Sequence, residues 1–167
     1  MPSQPSQLII FFKSLKSKKY FCGTEEKPST TTTRYRRFVE SGSKWSGENI
    51  TYAIENYTEK LGERKTRYAI NSAIRHWKRY VPLPIIEIKR ASDKSKADIR
   101  IIFASGTHGD NTPFDGTGGF LAHAFYPGPG LGGDTHFDDE EPWTLNKAAY
   151  TGKGIMLSGL RFPAVRF

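Results

Sequence analysis

Three of the four histidines, His108, His123 and His136, share one short stretch with Asp110 and a run of glycines and aspartates. Imidazole nitrogen and carboxylate oxygen are ordinary zinc ligands, and four of them in a tetrahedron make a closed, structural site. Around the histidines lie Asp115–Gly116–Thr117–Gly118 and Gly130–Leu131–Gly132–Gly133–Asp134. Such segments offer carboxylates and exposed carbonyls, the oxygen donors that calcium prefers. The chemistry on offer is metal binding. The remaining histidine, His76, stands beside Trp77 in a helical pattern and reads as a structural side chain.

The flanking pattern supplies the elements that must hold these groups. Asn49 to Tyr57 alternates Ile50, Tyr52 and Ile54 against Thr51, Ala53 and Glu55, a strand pattern. Over Glu63 to Tyr80, Ile70, Ala73, Ile74, Trp77 and Val81 recur at helical steps while the basic residues lie elsewhere, which predicts an amphipathic helix. Pro82 and Pro84 end it. Strands are expected at Ile85–Lys89 and Asp98–Phe103 around a polar turn at Ser92–Lys96, with shorter extended segments at Leu121–Tyr126 and Thr135–Asp138. Strand, helix, strand, strand and then loops indicate an α/β domain, a mixed sheet with one crossover helix. On this layout His108 and Asp110 approach from a loop, while His123 and His136 project from neighbouring strands.

The run Phe103 to Thr144, FASGTHGDNTPFDGTGGFLAHAFYPGPGLGGDTHFDDEEPWT, closely resembles the catalytic domain of matrix metalloproteinases, with Lys44–Trp45 and Asn49–Ile50–Thr51–Tyr52 resembling its start. The resemblance covers roughly positions 34 to 145. It implies a metzincin-like α/β (α+β) domain: a twisted, mostly parallel sheet with one antiparallel edge strand, here Leu121–Tyr126, on which an extended peptide would add by β-augmentation. It also implies a division into residues 1–37 as a propeptide remnant or linker, 38–144 as the N-terminal part of the catalytic domain, and 145–167 as a divergent tail. Yet His-Glu-x-x-His, the motif that makes the family enzymes, is absent from the sequence. The domain is therefore expected to be incomplete and catalytically inactive, with no candidate catalytic residue.

Carried over residue by residue, the resemblance assigns a structural zinc to His108, Asp110, His123 and His136. It gives a first calcium the carboxylates of Asp115, Asp138 and Glu141 with the carbonyls of Gly116, Gly118 and Phe120. A second calcium would take Asp98 and Asp134 with the carbonyls of Gly130 and Gly132. The competing reading for each calcium set is an Asp/Gly-rich turn without an ion. Asp139 and Glu140 match no ligand position. Upstream, Cys22–Gly23 with Glu26 resembles part of a propeptide cysteine switch, but the arginine of that motif is missing, so an ordinary free cysteine is an equal reading. Arg34–Tyr35–Arg36–Arg37 matches the pattern that furin-like proprotein convertases cut, after Arg37. Asn49–Ile50–Thr51 and Asn56–Tyr57–Thr58 are N-glycosylation sequons.

Charge narrows the partners. The net +8 divides into +5 over residues 1–48, +6 over 49–97, −7 over 98–141 and +4 over 142–167. The acidic block repels phosphate and attracts divalent cations, so nucleic acid is not an expected partner. No apolar run has the length of a membrane span, and Leu8–Phe12 is too short for a secretory core. No signal peptide is therefore visible, although the family resemblance implies secretion. The leading expectation is a truncated matrix metalloproteinase-family protein, from a family of zinc endopeptidases acting on extracellular matrix. The alternatives are a non-catalytic zinc- and calcium-binding module, or a basic protein binding polyanions through residues 60–96. Without an active-site helix, apolar side chains such as Ile101 and Phe103, or their neighbours on the other face, are expected to lose cover, leaving a marginal, metal-dependent or aggregation-prone product.

Overall fold

The computed structural model describes residues 12–13, 43–145 and 155–156. Its strands are β1 (Phe12–Lys13), β2 (Ile50–Ile54), β3 (Ile85–Glu87), β4 (Ile99–Ala104), β5 (Phe120–Ala124), β6 (Thr135–Asp138), β7 (Trp143–Thr144) and β8 (Ile155–Met156). One α-helix, α1 (Gly62–Trp77), follows β2, and a 3-10 helix covers Ala91–Lys96. The sheet runs β1-β5-β6-β4-β2-β3, and β7 and β8 pair separately in parallel. Strands β3, β2, β4 and β6 are mutually parallel, and β5 is antiparallel to β6. The mostly parallel sheet with one antiparallel strand at its margin is as expected. The two-residue β1 lies outside β5 and had no counterpart in the sequence reading.

Alternation sorts side chains between the two faces. Register aligns Ile54 with Ile101 and Phe103 with Phe137, so these side chains share the face that α1 covers with Ala69, Ile70 and Ile74. Phe103 and Phe137 stack at 5.1 Å between ring centroids, and Trp143 meets both edge-on. Ile101 and Phe103 are thus 0 % and 3 % exposed, so of the side chains expected to lose cover these two do not. They belong to the helix-covered face, where the aromatic group closes over them. The opposite face carries Ile102, His136 and His123, which are aligned across β4, β6 and β5. That face is roofed by the loops 105–119 and 125–134.

Element ends differ in physically readable ways. The helix stops at Trp77, and Lys78 to Tyr80 form a turn closed by Tyr80 N–H donating to Trp77 O at 2.8 Å. Asn56 ties the end of β2 to β4: its side-chain amide donates to Phe103 O at 2.6 Å, and Phe103 N–H donates back to its Oδ1 at 2.8 Å. Among the described residues, no helix is long and apolar enough to cross a membrane. Cys22, Glu26 and Arg34 to Arg37 lie outside the described residues, as does the tail beyond Leu145 apart from β8.

Candidate metal centre

Two of the four donors come directly from strand register. His123 on β5 stands opposite His136 on β6, so both imidazoles leave the same face of an antiparallel pair. A slip of one residue would replace His136 with Phe137, so the apolar pattern that fixes the core also fixes this site. The other two come from the loop after β4. Gly109 has φ +92, a left-handed conformation that turns the chain between His108 and Asp110. Thr112 N–H donates to Asp110 Oδ1 at 2.9 Å, leaving Oδ2 to face the imidazoles.

Four atoms then converge: His108 Nε2, His123 Nε2, His136 Nδ1 and Asp110 Oδ2. Their separations are 3.3 Å (His108 to His123), 3.1 Å (His108 to His136) and 3.2 Å (His123 to His136). Asp110 Oδ2 lies 3.0, 2.8 and 2.8 Å from the nitrogens of His108, His123 and His136. A regular tetrahedron with bonds of about 2.0 Å has edges of about 3.3 Å, so the cluster has the size and shape of a zinc shell, drawn in slightly. Among the described residues, these form the group of three or more His, Cys, Asp and Glu side chains whose ligand atoms all lie within 4.8 Å of one another.

The protonation pattern agrees with a cation at the centre. The Nδ1 of His108 lies 2.8 Å from Gly106 O, which can only accept, so Nδ1 carries a proton and Nε2 is the atom left to face the cluster. Burial lowers the pKa of His123 and brings that of His136 down to about 4, with Asp110 pulling the other way in both. Burial raises the Asp110 pKa, but the Thr112 N–H and the His123 ring outweigh it and hold the carboxyl below its ordinary range. With an ion at the centre the three ring nitrogens would turn their lone pairs inward; without one, His123 Nε2 and His136 Nδ1 lie 2.8 Å from Asp110 Oδ2, within reach to donate to it. Phe114 stacks on His108 at 4.6 Å, and Phe125 meets His123 and His136 edge-on, so two rings wall the cluster from water. Sequence reasoning passed over both phenylalanines; their nearness to the histidines in sequence was the available signal.

The proposed calcium residues fall in two places. Asp138 and Glu141 are fully buried, and each has one carboxylate oxygen, Oδ2 and Oε2, without a hydrogen-bond partner. Their other oxygens accept from Glu140 N–H at 2.9 Å and Gly118 N–H at 2.7 Å. Burial raises both pKa values, and Asp115 adds repulsion to each. Asp115 itself is exposed and accepts from Phe120 N–H at 2.8 Å, its carboxylate lying over Gly119, where any Cβ would collide with it. An orphaned pair of buried carboxylate oxygens beside a glycine loop fits a hard cation.

The second set is more dispersed. Asp98 Oδ2 accepts from Thr51 N–H at 2.7 Å and from its hydroxyl at 2.6 Å, which turns it toward β2. Asp134 Oδ1 accepts from Arg100 N–H at 3.0 Å, while its buried Oδ2 has no hydrogen-bond partner. Burial pushes the Asp134 pKa up to about 6. The loop with Gly130 and Gly132 packs beside this pair, and a Cβ on Gly133 would strike Asp98 O and the Trp45 ring. His76 is exposed, its ring 5.6 Å from that of Tyr80 and apart from the cluster. Asp139 is 4.0 Å from Lys60 Nζ, and Glu140 is exposed.

Comparison with known proteins places this geometry in context. Residues 44–159 match the matrixin peptidase family. Matrix metalloproteinase-16 of Mus musculus is 47% identical over 146 residues, covering 84% of this chain and 24% of that protein. Matrix metalloproteinase-15 of Homo sapiens is 48% identical over 128 residues, 74% of this chain and 19% of that protein. Interstitial collagenase of Sus scrofa is 47% identical over 107 residues, 64% of this chain and 22% of that protein. The chain spans about a quarter or less of the length of these relatives.

Proposed function

The chain belongs to the matrixin family, and from that premise we propose that it is the metal-holding part of a zinc-dependent endopeptidase of the extracellular space or cell surface. One zinc is held by His108, Asp110, His123 and His136. Calcium is held by Asp115, Asp138 and Glu141 with the carbonyls of Gly116, Gly118 and Phe120, and by Asp98 and Asp134 with those of Gly130 and Gly132. The observation that carries this reading is the tetrahedron of four donor atoms with edges of 2.8–3.3 Å.

Such a zinc is structural. All four positions are filled by side chains, so no coordination site remains for water or a scissile carbonyl. Its part is to cross-link the 105–119 loop to β5 and β6 and so fix the strand beside which extended peptide adds. Peptide hydrolysis needs a metal with an open position and a general base. The 167 residues contain no His-Glu-x-x-His, so residues 1–167 alone are inactive by this reading. Arg37 marks a convertase cut between residues 1–37 and the domain of 38–144. Incubation of the zinc- and calcium-loaded chain with a fluorogenic peptide should give no turnover. Chelator-sensitive turnover by the purified chain would overturn the assignment of inactivity, and absence of bound zinc would overturn the site.

A further inference from the structure

The two ends of the sheet differ in charge. Residues 62–96, running through α1 and β3 to the end of the 3-10 helix, hold ten Lys and Arg against three Asp and Glu, whereas residues 98–141 carry a net −7. The three acids of the basic part are already engaged. Glu63 and Glu87 both accept from Arg67, and Asp93 lies 3.4 Å from Lys96 and 3.9 Å from Arg90. Lys94 turns inward, its ammonium donating to Ile54 O at 2.5 Å. Arg64, Lys65, Arg75, Lys78, Arg79 and Lys89 are left exposed, with no ion-pair partner among the described residues. Arg64, Tyr68 and Arg75 follow at steps of four and seven, so they share one face of α1, and the two guanidinium-bearing residues stand about 16 Å apart along its axis. Tyr68 is 61 % exposed and Tyr80, in the turn that closes the helix, 70 %. Like charges crowded on one helix face repel one another, so this face gains nothing from them within the fold.

We propose that the outer face of α1, with the turn at 78–80 and Lys89, is a second binding site whose occupant is a linear sulfated polysaccharide. Sulfate and carboxylate groups spaced along such a chain pair with guanidinium forks and ammonium groups, and binding releases the counterions held on the polyanion. The exposed rings of Tyr68 and Tyr80 offer flat apolar surfaces for the C–H faces of sugar rings. A flat membrane or a rigid duplex would meet the acidic half of the domain as well as the basic one, whereas a single flexible chain follows the helix alone. A membrane would also call for apolar side chains to insert, and among the described residues the exposed large hydrophobic side chains are Tyr68, Tyr80 and Ile86. The site lies away from the proposed zinc. Helix α1 covers the sheet face opposite the one that carries His123 and His136, and β3 ends the sheet at the margin remote from β5. An occupant would therefore hold the domain on a polysaccharide matrix and leave the β5 end free. The extracellular source of the polyanion rests on the function proposed above; the site itself does not.

Calorimetric titration of the full chain, supplied with zinc and calcium, with a heparin octasaccharide at several salt concentrations tests the site. One variant combines Arg64→Gln, Lys65→Gln, Arg75→Gln, Lys78→Gln and Arg79→Gln. A control removes as many charges elsewhere, through Lys18→Gln, Lys19→Gln, Arg34→Gln, Arg36→Gln and Arg37→Gln. The expected result is affinity lower by at least about 10-fold and a shallower salt dependence in the first variant, against a loss of less than about 3-fold in the control. Tyr68→Ala with Tyr80→Ala weakens binding and leaves the salt dependence unchanged. Equal losses in the two five-residue variants overturn the proposal, as does equal affinity for a fully desulfated octasaccharide. Tighter binding of duplex DNA or of phosphatidylserine vesicles at the same salt overturns the class of partner. A footprint on the unaltered chain decides the case if the variants unfold: the octasaccharide should slow acetylation of Lys65, Lys78 and Lys89 while Lys44 reacts as before. Uniform protection of all four overturns the site. No readout uses peptide turnover or zinc content, so failure here leaves the metal assignment standing.

Discussion

The half of the domain around α1, β2 and β3 and the half built on the 105–119 loop, β5 and β6 are held by different forces. In the first, Ile50, Ile54, Ile70 and Ile74 are buried against one another, and burial of apolar surface explains why they fold. In the second, the fully buried large side chains include His123, His136, Glu141, Asp134 and Asp138. Three of their carboxylate oxygens have no hydrogen-bond partner: Asp134 Oδ2, Asp138 Oδ2 and Glu141 Oε2. A protein that buries so many unpaired polar atoms in one place has left their partners to something else. In the function proposed above ions take that role, so that a hydrophobic core and an ionic core would share one sheet, one on each face.

The largest test of this contrast is removal of metal. Chelation is expected to raise amide exchange sharply in residues 105–119 and 127–134 while leaving the amides of α1 and β2 protected. At zinc 100-fold above its Kd, the stability gained over the metal-free chain is about 2.7 kcal/mol by mass action. Equal loss of protection in both halves would break the comparison. Next in size, Ile70→Ala should cost about 2–5 kcal/mol in denaturant melts, with zinc stoichiometry unchanged under saturating metal. His136→Ala should do the reverse, abolishing stoichiometric zinc binding and removing the stabilisation by zinc.

The acid response sharpens the contrast further. In the metal-free chain His136 has a folded pKa of about 4 against an ordinary 6.5. The unfolded chain therefore binds the proton more readily, and this contribution to stability is full above pH 6.5 and is lost as the pH falls toward 4. The lowered pKa of His123 acts in the same direction. Asp134, raised to about 6 from 3.8, opposes it: its protonated form is favoured in the folded state, so its contribution falls as pH rises across that window. Asp134→Asn should therefore steepen the loss of stability between pH 6 and 4 in thermal melts without metal. The smallest effect is expected at the rim of the apolar half, where Arg64→Ala on α1 should change stability by no more than about 0.5 kcal/mol.

How much of this was legible depends on the range of the interaction. The alternation Ile99, Ile101, Phe103 is local, and it places β4 within one residue of where the structure has it. The end of α1 was read three residues late, because Pro82 stops a helix without fixing which turn closes it. Ser92–Lys96 reads as a turn, and the structure winds Ala91–Lys96 into a 3-10 helix, the same short-range geometry repeated. Residue type and the family resemblance single out the four zinc donors, but only the pairing of His123 with His136 shows how two of them share a face. The bond of Asp98 to Thr51 joins neighbouring parallel strands, and nothing local announces it. The pairing of Phe12 and Lys13 with β5 was likewise invisible, since an apolar run does not name its partner.

In the proposed function the 105–119 loop and strands β5 and β6 are organised around one zinc with a closed shell. X-ray absorption spectroscopy of the zinc-loaded chain tests it most directly. The expected result is one zinc per chain with four nitrogen or oxygen neighbours at about 2.0–2.1 Å, the multiple scattering of three imidazoles, and no sulfur. A sulfur neighbour, which would bring in Cys22, or a hydrated ion with fewer than three imidazoles, would contradict it.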